Sequence, residues 1–416
     1  MGYESLKAKY YQIRDPQQFE NFYQTRLNNE YSIKSGLMVR PFNKRLEQRE
    51  DKAYEMFYGQ TRKIALLKES VYSNSKKIEL LLHELPNIAR NQLFFNTLID
   101  ELQGTNEIEG VKSTRKELGD VVNKVLSKSE DEHRFTGLVK QYANFMNSQY
   151  NSIKSVEAFR NIWDELVGQE EQEDKPDGEL FRKSAVEIRA GEKVIHRGDA
   201  GEQAIKADLE RLVVEMNNQS LPSLEKCFMA HYFYEYVHPF YDGNGRTGRF
   251  IVCSYLSRKL DMMSAITFSA TIANNKERYY RAFAEMSEQL NRAEATFFIE
   301  QMLDIVVMGQ EQLIEEIVEG KDRLEKAHEL IEQCELNDLE NKVLYVLFQQ
   351  YIFGSYVDNL SDNEIGDGLN KSRHVIKNTM DSLESKGYLA IKSKRPKSHV
   401  ISESLKARFE QEWSAY

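Results

Sequence analysis

Apolar residues recur along most of the chain at three- and four-residue spacing, the period of a helix that buries one face. Residues 1–86 mix Lys, Glu, Gln and Tyr with runs such as Tyr54-Glu55-Met56-Phe57-Tyr58 and Ile78-Glu79-Leu80-Leu81-Leu82. This pattern predicts a helical extension without chemistry of its own. From 87 to 308 the helical period continues with one break. Over about 184–198, Val186 and Ile188 alternate with polar residues such as Glu187, Ala190-Gly191-Glu192 supplies a turn, and Val194-Ile195 resumes the alternation. That is the signature of a β-hairpin, which needs neighbouring helices to be stable. Residues 309–337 read as an acidic connecting helix.

The last stretch, 338–416, changes character. A helix over Val343 to Tyr351 is followed by Ser361 with Glu364 three residues on, a capping box. A further helix from Ser372 to Ser385 carries Val375, Ile376, Met380 and Leu383, and Gly387 follows it. A basic turn from Lys392 to Lys397 precedes Val400-Ile401. Three helices and a two-stranded wing resemble a winged helix-turn-helix. The predicted class is mainly α, in four segments: 1–86, 87–308, 309–337 and 338–416.

Composition narrows the function. A net charge of −10 argues against nucleic-acid binding by the whole surface. Residues 371–397 are the local exception, with eight Lys or Arg against Asp381 and Glu384. Cys227, Cys253 and Cys334 fit no zinc spacing, and each lies in a helical stretch. They read as buried free thiols in a reducing compartment. The first residues have no apolar signal core, and no stretch reaches the roughly 18 apolar residues of a membrane helix. The expectation is a cytoplasmic protein without a membrane partner. A homo-oligomer is compatible with all of this.

The chemistry concentrates in one run, His238-Pro239-Phe240-Tyr241-Asp242-Gly243-Asn244-Gly245-Arg246-Thr247-Gly248-Arg249. A helix beginning near Ser223 ends near Val237, and a second carries Phe250, Ile251, Tyr255 and Leu256. Gly243-Asn244-Gly245 therefore forms a turn into a helix N-terminus, where converging N–H groups and the helix dipole favour an anion. Arg246 and Arg249 share one face of the first turn and can clamp adjacent phosphates. Asp242 is placed to hold Mg²⁺ or Mn²⁺ through phosphate oxygens. His238 suits a general base near neutral pH.

This run resembles the signature of the Fic family, His-x-Phe-x-Asp-Gly-Asn-Gly-Arg-x-x-Arg, at every fixed position. The resemblance extends over about 87–308 and implies a helical core with a hairpin flap. It implies an enzyme that moves AMP from ATP to a Ser, Thr or Tyr hydroxyl of a target protein and of itself. His238 would take the hydroxyl proton and Phe240 would anchor the turn. Asp242 would bind the metal. Gly243, Asn244 and Gly245 would hold the α- and β-phosphates, with Arg246 on the phosphates and Arg249 on the γ-phosphate. Relatives that use other groups depart from the motif, for example by Lys in the Gly-Asn-Gly-Arg part. Here Gly245-Arg246 is intact.

A second feature is Thr105-Asn106-Glu107-Ile108-Glu109-Gly110. Thr105 and Glu109 are four apart, on one helix face, and Gly110 suits a helix end. Within the resemblance this is similar to an N-terminal inhibitory helix, over about 97–110. Glu109 would then pair bidentately with Arg249 and deny it to the γ-phosphate. In some relatives the same Glu supports removal of AMP. The resemblance further implies target docking on Val186, Glu187 and Ile188 of the flap, and an adenine pocket beside Tyr279 and Tyr280. Two alternatives remain at this point: a DNA-binding regulator that acts through 371–397 and senses nucleotide with the Fic fold, and a hydrolase that removes AMP.

Overall fold

The computed structural model describes residues 2–127, 134–147, 153–168, 170, 175–354 and 360–414. The chain divides into two compact units. One comprises 1–76, 100–114 and 130–311, and the other 77–99, 115–129 and 312–416. Both are built mainly from helices, with short antiparallel strand pairs.

In the first unit, the helix Leu6–Ile13 starts at Ser5, whose hydroxyl accepts from the Ala8 N–H. The helix Pro16–Leu27 starts in the same way at Asp15, with Pro at its first position. Here the helical expectation fails in part. Ser32–Val39 and Tyr54–Gly59 are strands paired antiparallel from Ser32↔Gly59 to Val39↔Tyr54. The run Tyr54 to Tyr58 is therefore extended, not helical. A short aromatic run has no periodicity of its own, so its partners decide. The Phe57 carbonyl accepts from Ala295 N–H at 2.7 Å, and its ring packs with Leu6, Phe19 and Tyr23.

The centre of this unit is the helix Ser223–Val237, in which Leu224, Phe228, Phe233 and Val237 are fully enclosed. A helix apolar on every side belongs in a core. The helix Asn244–Leu256 follows and is buried throughout. The helix Asn87–Ile108 contributes its last turns, with Leu102 and Thr105 both at 0% exposure. The hairpin expected near 184–198 is present as Glu187–Ala190 paired with Lys193–Arg197, turning at Gly191 with φ +62°. Val186 lies just outside the strand, and its carbonyl accepts from Gly198 N–H at 3.0 Å.

In the second unit, residues 312–332 belong to a helix that starts at Thr296 and ends at Glu332, so position 309 is not an element boundary. The helix Asp338–Phe353 opens on an Asn337–Glu340 capping box, and Asp362–Gly368 opens on the Ser361–Glu364 box read from the sequence. Arg373–Ser385 follows Ser372 as cap. Leu389–Lys394 and Lys397–Ile401 pair as a hairpin, and Glu403–Ser414 closes the chain. Leu344, Ile365, Ile376, Met380, Leu389, Ile401 and Phe409 share its core.

Candidate active site

The helix Ser223–Val237 ends because His238 adopts a left-handed backbone, φ +53° and ψ +65°, with its N–H still bound to the Tyr234 carbonyl. That reversal turns the chain into the glycine loop. Gly243 takes φ +79°, a region costly for other residues, and starts the next helix. A Cβ at Gly243 would also press on Val167 and the Trp163 indole. The loop is braced from inside. Phe240 stacks on Trp163 at 4.8 Å, and Trp163 Nε1 donates to the Asp242 carbonyl at 2.8 Å. Asn244 spends its side chain on the backbone of Phe240, accepting at 2.9 Å and donating at 2.8 Å. Its side-chain amide is thus committed, and what it leaves open to a ligand is its backbone position at a helix N-terminus.

His238 is held by its main chain. Arg182, fully buried, donates Nε to the His238 carbonyl at 2.8 Å, and also reaches the carbonyls of Ser184, Val237 and Asp199. Burial pulls Arg182 down to about 10, which still leaves it charged at neutral pH. Burial, then the Arg182 cation, push His238 down to about 4, so its imidazole is neutral and can take a proton. The Asp242 carboxylate stays half exposed, with Oδ1 on Gly243 N–H at 2.6 Å and Oδ2 3.6 Å from Arg246. Among the described residues, no cluster of three or more His, Cys, Asp or Glu could hold a metal. A divalent cation here would rest on this one open carboxylate and on oxygens of its ligand, which fits Mg²⁺ or Mn²⁺.

Both clamp arginines are buried, at 1% exposure, and both are engaged. Arg249 Nη2 lies 2.9 Å from Glu109, and the same guanidinium donates to the Thr105 hydroxyl and carbonyl at 3.0 Å each. The fork is therefore shared between Thr105 and Glu109. Burial opposes its charge, but Glu109 and its neighbours hold Arg249 above its ordinary value. The Glu109 carboxylate lies directly over the glycine turn, where any Cβ at Gly245 would collide with it. Arg246 Nη1 meets both carboxylate oxygens of Glu170 at 2.8 Å.

The helix bearing Thr105 is fixed in register. Glu101, Thr105 and Glu109 advance in steps of four and face Cys253, Arg249 and Gly245, which recede in steps of four. Glu101 accepts from Cys253 Sγ at 3.2 Å and from the Ser269 and Ala270 N–H groups. Gly104 lies against the Ala270 backbone so closely that any Cβ would clash.

His238, Asp242, Gly243, Asn244, Gly245, Arg246, Arg249, Thr105 and Glu109 thus converge. The base of the hairpin joins them: a Cβ at Gly198 would meet both the Arg182 guanidinium and the His238 Cβ. Ile188 and Glu187 pair with His196 and Arg197 on the second strand. Tyr279 and Tyr280 lie on the helix Lys276–Met286. Tyr279 is enclosed, with its hydroxyl 2.8 Å from His231, whereas Tyr280 is half exposed and donates to the Ile108 carbonyl at 3.1 Å. Only Tyr280 of the two offers a ring that a base could reach. Sequence reading missed Arg182, Glu170, Glu101 and Trp163. None of the four carried a sequence signal, since each meets the glycine loop or its neighbours only in the fold.

Residues 153–256 match the model of the Fic/DOC family. A solved Fic family protein from Desulfovibrio desulfuricans G20 aligns with 83% of this chain and 98% of its own, at 18% identity and a TM-score of 0.52. A Fic domain-containing signaling protein from Bacteroides thetaiotaomicron VPI-5482 aligns over 62% and 96%, at 14% identity and a TM-score of 0.39. Fic-1 from C. elegans aligns over 62% and 73%, at 17% identity and 0.41. At these identities the first likeness speaks for the fold alone.

Proposed function

We propose that this chain, which carries a Fic/DOC domain over residues 153–256, moves AMP from ATP to a hydroxyl of a target protein and is held back by Glu109. Fic domain proteins are generally transferases that act on proteins, and nucleotidyl transfer is their typical reaction. The observation that carries the reading is the convergence of a neutral buried His238 with a glycine-lined helix N-terminus and two guanidinium groups. In-line phosphoryl chemistry needs a base and a preorganised site for charge.

In the reaction, His238 accepts the hydroxyl proton as the hydroxyl oxygen bonds to the α-phosphorus. The bond from that phosphorus to the bridging oxygen breaks, and pyrophosphate leaves. N–H groups from Gly243 to Gly245 would face the α- and β-phosphates once Asp242 releases the Gly243 N–H, and Arg246 and Arg249 would take the β- and γ-phosphates. A divalent cation on Asp242 would neutralise phosphate charge. The hairpin edge would hold the target segment by strand addition. With Glu109 seated, Arg249 is denied to the γ-phosphate and the nucleotide loses its in-line pose. Incubating the protein with Mg²⁺ and ATP tests this by mass. Glu109→Gly is expected to gain the mass of one AMP residue, and adding His238→Ala is expected to remove that gain. An unlabelled Glu109→Gly protein refutes the reading.

One observation favours a second activity in the 312–416 part of the chain. Arg373, Lys377 and Asp381 lie four apart on one exposed helix face, and Lys397 Nζ is 3.4 Å from Asp381. The hairpin turn with Lys394 and Arg395 therefore abuts the same face. We infer that this surface contacts duplex DNA through its phosphates. Anisotropy of a labelled duplex at about 50 mM salt is expected to report binding that Lys377→Glu weakens at least tenfold. Absence of binding, or an unaffected variant, removes this reading.

A further inference from the structure

Glu235 stands one helical turn before His238 and is absent from every role assigned above. Its Oε2 lies 3.9 Å from Nδ1 of His238. Glu235 Oε1 and His238 Nδ1 are both buried and neither makes a well-formed hydrogen bond, although the Glu235 main chain lies close enough to the His238 ring to favour its charged form. Such orphaned atoms are costly unless another state of the molecule satisfies them. The carboxyl lies against the following helix at Gly248, where any Cβ would collide with Oε1. A glycine between Arg246 and Arg249 therefore makes the room that Glu235 occupies. The His238 main chain is fixed by Arg182, so any closer approach of the two groups falls to side-chain rotation.

The charged and titratable groups around Glu235 come from several elements. His238 and Tyr234 share its own helix and its end. Arg249 faces it from the helix Asn244–Leu256, Glu109 from the end of the helix Asn87–Ile108, and Tyr279 and Tyr280 from Lys276–Met286. Burial, then the Glu109 charge, push Glu235 up to about 8, against the pull of Arg249. While Glu109 is seated, Glu235 is thus neutral at pH 7 and is a poor partner for an imidazole N–H. Withdrawal of Glu109 takes away one of the two influences that keep it protonated.

We propose that Glu235 is the positioning residue of the base: once Glu109 withdraws, its carboxylate accepts the Nδ1–H of His238 and leaves Nε2 as the nitrogen that takes the hydroxyl proton. Glu235 itself takes no proton in the step. It orients the ring, selects the tautomer and stabilises the imidazolium that forms. The brake then acts twice. Glu109 occupies Arg249 and also keeps Glu235 from supporting His238.

This inference rests on the transfer reading, and its test separates the two. In the Glu109→Gly background, Glu235→Gln keeps the shape and removes the charge. The expected result is at least a tenfold fall in kcat for self-labelling, with KM for ATP changed less than twofold. The acid limb of the rate profile is expected to move to lower pH by at least half a unit, because an imidazole without its anion is less basic. Nitrogen NMR of His238, read without nucleotide, is expected to show the Nδ1–H tautomer in Glu109→Gly and its loss with Glu235→Gln. An unchanged kcat and acid limb overturn the proposal, as does an unchanged tautomer. If Glu109→Gly does not label at all, the transfer reading fails, and the NMR experiment still decides the Glu235–His238 contact.

Discussion

Arg246 and Arg249 stand one turn apart on the same helix, equally buried and each met by a carboxylate, yet the two grips are built differently. Glu109 arrives at the end of a helix pinned at three successive levels, by Glu101 on Cys253, Thr105 on Arg249 and Glu109 over Gly245. Glu170 lies past the end of the helix Glu157–Leu166, tied locally by its N–H to the Val167 carbonyl at 3.0 Å. The first acid is held in place by packing that does not depend on the ion pair. The second, among the described residues, is held by that one local bond and by the pair itself. A carboxylate of the first kind excludes a phosphate, whereas one of the second kind can be exchanged for it. On the proposed reading, this difference suits Glu109 to the role of brake and Glu170 to that of a stand-in for the ligand.

Three substitutions break or sharpen that comparison. Glu109→Gly has the largest expected effect, at least about tenfold in self-labelling rate with ATP, equivalent to roughly 1.4 kcal/mol of barrier. Thr105→Ala removes one hydrogen bond to Arg249 and leaves Glu109 in register. Its loss of about 1 kcal/mol should raise labelling roughly fivefold. Glu170→Ala should act on affinity alone, tightening ATP about fivefold by calorimetry, the equivalent of ~1 kcal/mol of competition from this largely buried pair. Labelling by Glu170→Ala as strong as by Glu109→Gly would abolish the distinction between the two arginines. A Thr105→Ala protein as active as Glu109→Gly would instead place the brake in the hydroxyl.

Much of the site was legible because its parts are neighbours in sequence. The run His238 to Arg249 carries its geometry in its own glycines and helix ends, and the structure brings those residues together. Capping at Ser361 and the hairpin near 184–198 were legible for the same local reason. Tyr54 to Tyr58 shows the limit. Five residues of mixed aromatic and acidic character carry no period, and the strand exists because Ser32–Val39 and the 293–295 segment supply its hydrogen bonds. Thr105 and Glu109 were found only through a resemblance; on spacing alone they were an ordinary helix end.

By itself, then, the sequence determined a mainly helical chain, the glycine turn into a helix N-terminus and the residue types that meet there, since these follow from short-range periodicity and backbone preference. Tertiary structure decided what those residues touch. It set Arg182, 56 positions before His238, as the strap on the His238 main chain, and it paired Glu170 with Arg246. It enclosed Glu235 beside His238 with room left by Gly248. Charge state follows from burial and from which ion lies nearest, and both are properties of the packed molecule that no local pattern records.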